Sequence, residues 1–209
     1  MLSLPYSHRP RNFGESPRYF THGDTEGDYT VTAACPDCTQ GSPLTFTAKA
    51  KCAVPINAVI PLSQCGSGVG DQLYDGTSER VCDAGCALTA LTMQLNFYGA
   101  NTDVIAVNDW LKENNGYTPG GAVDWSKVAQ NYPGMTFSSF DFYSTVNTSV
   151  LDSLLRQGIP VIVKIPSTRT HFVLAFCKNG SSYKVWDPGR GVVSTITTEQ
   201  ILGMRVFNR

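Results

Sequence analysis

The chain has 209 residues, 42% hydrophobic and 16% charged, which is enough apolar chain for one compact domain and argues against disorder throughout. Sixteen Lys+Arg against 17 Asp+Glu give a net charge of −1 with no block of like charges, so the electrostatic footprint of a nucleic-acid binder is missing. No apolar run approaches the roughly 20 residues of a membrane-spanning helix, and MLSLPYSHRPRNF lacks the apolar core of a signal peptide.

Residues 1 to about 28 are rich in Pro and Gly without sustained periodicity, and read as an arm or linker. YTVTA (29–33) and LTFTAKA (44–50) alternate like half-buried strands and predict a small hairpin around the turn-rich CPDCTQGSP. The expected division is therefore an arm and Cys-containing hairpin over 1–53, and a globular domain over 54–209.

In CALTALTMQLNFY (86–98), Leu88, Leu91, Leu95 and Tyr98 recur at helical spacing and Gly99 supplies a stop. Short helices are expected over 103–114 and 124–132, separated by GYTPGGA. Thr148 is the expected cap of SVLDSLLRQG, with Val150, Leu151, Leu154 and Leu155 on one apolar face. PVIVKI (160–165), HFVLAFC (171–177) and YKVW (183–186) predict strands, the last two joined by KNGSS. Helices first and antiparallel strands last predict an α+β domain, a helical half packed beside a curled sheet.

Seven cysteines, at 35, 38, 52, 65, 82, 86 and 177, leave at least one unpaired within the chain. Cys86 follows Gly85 and opens a helix, where the macrodipole and unused N–H groups favour a thiolate, although a structural Cys or half-cystine would fit there too. Of three histidines, His8 and His22 lie in the arm, and His171 alone begins a buried strand. If 171–177 and 183–186 pair as a hairpin, Asp187 lies beside His171 and can orient its imidazole, although Asp-Pro-Gly is also ordinary turn chemistry. Gln64, in IPLSQC, is a candidate oxyanion donor with the Cys86 N–H.

At these residues the sequence resembles the papain-like cysteine peptidases of the bacteriocin-processing (double-glycine leader) type and their single-domain relatives. GCALTALTMQLNFYG aligns with the nucleophile helix of that group, LLRQGIPVIV and HFVLAF with its strands, and WDPG with its Asp-Pro-Gly, over about 54–209. Ala87 and Leu88 replace the usual Gly-Pro, and no transporter segments follow.

The resemblance implies a papain-like α+β fold and a thiol-dependent hydrolase of amide bonds. In it Cys86 is the nucleophile, His171 the general base and acid, Asp187 the orienter and Gln64 the oxyanion donor. No cofactor or metal is implied; CPDC at 35–38 invites zinc, but no second CxxC or nearby His completes a ligand set. Substrates would be peptides, proteins or peptidoglycan cross-links, with Gly120, Gly121 and Trp125 as candidate substrate-binding residues. Setting Cys86 aside leaves six cysteines for three disulfides, of which Cys65 with Cys82 is the first candidate because both flank the Gln64-to-Cys86 segment and would tether Gln64 to the nucleophile's helix. Disulfides and the Asn147 and Asn179 sequons are compatible with a secreted protein. Two other readings share the scaffold: a non-catalytic binding module, and a deamidase or transpeptidase using the same thioester.

Overall fold

The computed structural model describes residues 27–33, 44–75, 78–131, 135–142 and 146–209. The arm up to residue 26, with His8 and His22, and the Cys35–Cys38 motif lie outside the described residues.

Strands β1 (Gly27–Ala33) and β2 (Leu44–Ala50) pair antiparallel as the predicted hairpin, in a two-stranded sheet of their own. Irregular chain from 51 leads to α1 (Val81–Ala84), a single turn that the sequence pattern missed. Helix α2 (Cys86–Phe97) follows after Gly85. The chain turns so tightly there that a Cβ on Gly85 would meet Val81 Cγ1 and its carbonyl oxygen at 2.5 Å. All residues from Cys86 to Leu95 are buried, so α2 is enclosed on every side. Gly99, at φ 85°, ends it as expected.

Helix α3 (Val104–Glu113) is capped by Asp103, whose carboxylate accepts from Ala106 N–H at 2.8 Å. Helix α4 (Trp125–Asn131) matches its expected span closely. Helix α5 (Ser149–Arg156) departs from expectation at its start. Thr148 makes no side-chain cap; the Asn147 side-chain Oδ1 accepts from Ser149 N–H at 3.0 Å instead. Leu151, Leu154 and Leu155 are buried, whereas Val150 is 36% exposed and lies off that face.

Six strands form one antiparallel sheet in the order β3-β8-β4-β5-β6-β7. They are β3 (Thr136–Asp141), β4 (Val161–Pro166), β5 (Thr170–Asn179), β6 (Ser182–Asp187), β7 (Val192–Thr197) and β8 (Gly203–Asn208). Strands β4, β5 and β6 were predicted; β3, β7 and β8 were not. One apolar cluster joins α2, α3 and α4 to the helix-facing side of the sheet through Ile162, Leu174, Phe176 and Trp186, and a second packs α5 on the opposite side through Val161, Val163, Val173 and Val185. This is the expected α+β arrangement of a helical half beside an antiparallel sheet. Cys52–Cys177 ties the chain just after the hairpin to β5, and Cys65–Cys82 joins the segment before α1 to α1 itself. Among the described residues no helix is long and apolar enough to cross a membrane.

Candidate active site

Cys86 is the first residue of α2, is buried, and is the free cysteine among the described residues. The first four N–H groups of a helix lack intrahelical acceptors, so the Cys86 sulfur and its own N–H share the electropositive end of α2. Its thiol faces the Thr170 carbonyl, 3.8 Å away across the boundary between helices and sheet. Thr170 opens β5, and His171 is the next residue.

The His171 Nε2 lies 2.7 Å from Asp187 Oδ1, at the end of the adjacent strand β6. That contact occupies Nε2, so Nδ1 is the nitrogen left free to meet the Cys86 thiol. Burial alone lowers the pKa of this imidazole, but the bonds to Asp187 and Cys86 and their charges prevail and push it up to about 9. Burial likewise opposes ionisation of Asp187, yet its bond and charge interaction with His171 and the Gly189 N–H hold its carboxyl below the ordinary value. The two groups therefore favour an imidazolium–carboxylate pair at neutral pH.

Two glycines of the loop after Asp187 shape this corner. A Cβ on Gly189 would stand 3.3 Å from both Asp187 Oδ1 and His171 Cε1. Gly191, at φ 65°, has Ser63 against it, so the same loop abuts the segment that carries Gln64.

Gln64 is buried and held from two directions. Its N–H donates to the Pro188 carbonyl at 2.9 Å, and its Nε2 donates to the Cys82 carbonyl at 2.6 Å. Only the NH2 end of an amide can face a carbonyl, which fixes the side-chain orientation and leaves a second N–H on Nε2. In an unbroken helix the Cys82 carbonyl would accept from Cys86 N–H, four residues on. The break at Gly85 lets Gln64 take that carbonyl.

Gly121, at φ 78°, lies against the Asp75 carboxylate, and an open cavity of about 350 Å³ nearby is lined by Asp75, Leu111, Lys112, Asn115, Tyr117 and Thr118. Gly120 is exposed, with nothing within 4 Å of where a Cβ would project. Trp125 instead packs on Phe172, the neighbour of His171, and on Phe207, with ring centroids 5.4 and 6.3 Å away. Sequence reading had overlooked Tyr74, which is 5% exposed, sits edge-on to Tyr117, and has its phenol pushed up by burial and then by the Cys86 charge. It had also overlooked Arg169, whose guanidinium pairs with Glu79 at 2.6 Å and so joins the loop before His171 to the loop before α1. Thr170 and Gly189 were adjacent to motifs that had been read, but Tyr74 and Arg169 carried no pattern of their own.

Among the described residues no group of His, Cys, Asp and Glu is placed to hold a metal ion. No curated protein matches the chain. Several solved structures are similar over part of it, among them two peptidase domains. One is the peptidase domain of Streptococcus ComA, a bi-functional ABC transporter involved in a quorum-sensing pathway, with 17% identity and a TM-score of 0.43 over 58% of this chain and 89% of that one. The other is a double-glycine-motif protease from an AMS/PCAT transporter in complex with the leader peptide, with 19% identity and a TM-score of 0.40 over 58% of this chain and 82% of that one. The profile of the Peptidase_C39-like family matches residues 57–204, most of the chain including all four residues around the thiol, and on that match the chain belongs to the Peptidase_C39-like family.

Proposed function

We propose that this protein is a thiol-dependent amide hydrolase acting on peptides, with Cys86 as nucleophile, His171 as proton carrier, Asp187 as its orienter and Gln64 as oxyanion donor. The observation that carries the reading is a buried free thiol on the first residue of α2, facing the carbonyl of the residue before an imidazole whose Nε2 is 2.7 Å from a carboxylate.

The chemistry follows from that arrangement. The sulfur attacks the scissile carbonyl carbon, and the carbonyl π electrons move onto oxygen, where the Cys86 N–H and the second Nε2 hydrogen of Gln64 receive the charge. His171 gives its proton to the leaving amine as the C–N bond breaks. The now neutral imidazole takes a proton from water, whose oxygen attacks the thioester and releases the acid and the thiolate. Asp187 stabilises the imidazolium throughout.

Exposed Gly120 and half-buried Gly121 lie beside the Asp75-lined cavity, suited to carry an extended peptide toward Cys86, with Trp125 backing Phe172 on the histidine side. The substrate is a protein or a cell-wall peptide cross-link. Two disulfides and the lack of a membrane-crossing helix among the described residues fit an extracellular protein, and we divide the chain into a leading piece at 1–53 and an enzyme domain at 54–209.

Wild type and Cys86→Ala, incubated with a peptide library and with purified peptidoglycan and read by mass spectrometry, test this directly. Hydrolysis lost in Cys86→Ala is the expected result. Equal product from both proteins, or none from wild type, rejects it.

A further inference from the structure

We propose that the Cys65–Cys82 disulfide is a positioning clamp for the Gln64 amide, so that the site turns over at its full rate while this bridge is closed and Cys86 is a free thiol, and slows when the bridge opens. The inference rests on the hydrolase reading above and names a control on that same site. Cys65 follows Gln64 in the chain and is bonded to Cys82, with their Cα atoms 4.4 Å apart. The carbonyl of that same Cys82 accepts from Gln64 Nε2 at 2.6 Å. One residue of α1 therefore holds the neighbour of Gln64 through its sulfur and the working amide through its oxygen.

The rest of this corner has no slack of its own. Cys82 N–H donates to the Gly70 carbonyl at 3.1 Å and Gly70 N–H to the Gly66 carbonyl at 3.0 Å. A Cβ on Gly70 would stand 3.2 Å from Cys65 Cα and 3.4 Å from Cys82 Cβ, so a side chain there would press on the bridge. Yet residues 61–72 contain neither helix nor strand. Without the sulfur link, a Gln side chain with three rotatable bonds on irregular backbone keeps its hydrogen bonds to the Pro188 and Cys82 carbonyls but loses its covalent tie to α1. An oxyanion donor acts only if it is fixed before charge develops, which is the property the bridge supplies.

The two sulfur functions also differ in access. Cys65 is exposed whereas Cys86 is buried, so a small dithiol reaches the bridge from solvent. The exchange balances: the dithiol gives up two electrons and two protons, Cys65 and Cys82 become thiols, and the reagent becomes its cyclic disulfide.

The test compares Cys65→Ser/Cys82→Ser with Cys52→Ser/Cys177→Ser, whose bridge lies away from Gln64, on the best-cleaved peptide of the library. The first pair is expected to lose about tenfold to a hundredfold in kcat with little change in KM, below the loss of a whole oxyanion donor, about 10²–10³. Adding Gln64→Ala to it should cost much less than in wild type. The second pair should melt earlier while keeping kcat. A second readout needs no turnover and no variant: the Gln64 side-chain NH2, followed by NMR hydrogen exchange in the whole protein, should exchange slowly when oxidised and fast after dithiothreitol.

Wild-type kcat in the first pair, additive losses with Gln64→Ala, or unchanged exchange on reduction each overturn the clamp. Turnover that survives Cys86→Ala overturns the hydrolase reading instead, and the exchange measurement still decides the clamp.

Discussion

His171 sets the pH behaviour of the site. Its pKa rises from the ordinary 6.5 to about 9, so the folded protein keeps a proton that the unfolded chain releases above 6.5. The stabilisation from this group is complete below 6.5 and disappears as pH rises through about 9. The stability advantage of wild type over His171→Gln, measured by urea unfolding, should therefore shrink across that window. Asp187 has the opposite sign: its contribution is present above the ordinary carboxylate range and is lost on acidification through its lowered folded value. Asp187→Asn keeps the shape and removes the charge, so the His171 midpoint followed by NMR should move down from about 9. A midpoint that stays in place would show that Asp187 does not support the imidazolium. Gly189 is the other sensitive position. Gly189→Ala puts a carbon 3.3 Å from Asp187 Oδ1 and His171 Cε1, and the displaced ring should cost about tenfold in kcat without unfolding the protein.

Strand pairing and a turn together bring that glycine to the ring. Ahead of the bulge between Ala175 and Cys177, Leu174 faces Trp186 and Ala175 faces Val185; past it Cys177 faces Lys184, a shift of one residue. Strand β6 ends at Asp187, whose carbonyl accepts from the Arg190 and Gly191 N–H groups, and that turn carries Gly189 against His171. The hairpin and its Asp187 were legible from apolar runs flanking a turn, but a bulge leaves no mark in such a pattern.

Other elements were hidden for equally physical reasons. Strand β3 buries no side chain fully and β7 buries only Ile196, so neither shows strong alternation. Strand β8 is buried over most of its length yet carries Arg205, whose charge interrupts the apolar run; its guanidinium pairs with Asp141 at 3.1 Å and lies over the Phe172 ring. Helix α2 was plain because its apolar residues recur throughout, and Leu88→Ala, at a fully buried position, should cost about 2–5 kcal/mol. At α5, Asn147→Ala should cost about 1 kcal/mol as the loss of a cap, measured by chemical denaturation.

For the molecule as a whole, the cysteine count foretold a thiol set apart from bridges, and the Cys65–Cys82 pair was read from its flanking positions. Cys52 with Cys177 could not be, since its 125-residue separation is resolved only by the fold. Opening that bridge should lower stability by about 2–5 kcal/mol in urea denaturation of Cys52→Ser/Cys177→Ser.

Strand β8 lies inside the sheet between β3 and β4, although it is the last strand in the chain. β3 pairs with β8 alone, so while the protein is being synthesised β3 waits without a neighbour, its N–H and C=O groups open to any extended segment nearby. The order of manufacture and the order of assembly are thus at odds. A chain halted before residue 203 would carry the thiol, the imidazole and the carboxylate, yet leave β4 as a raw sheet edge, a form destined for aggregation or proteolysis.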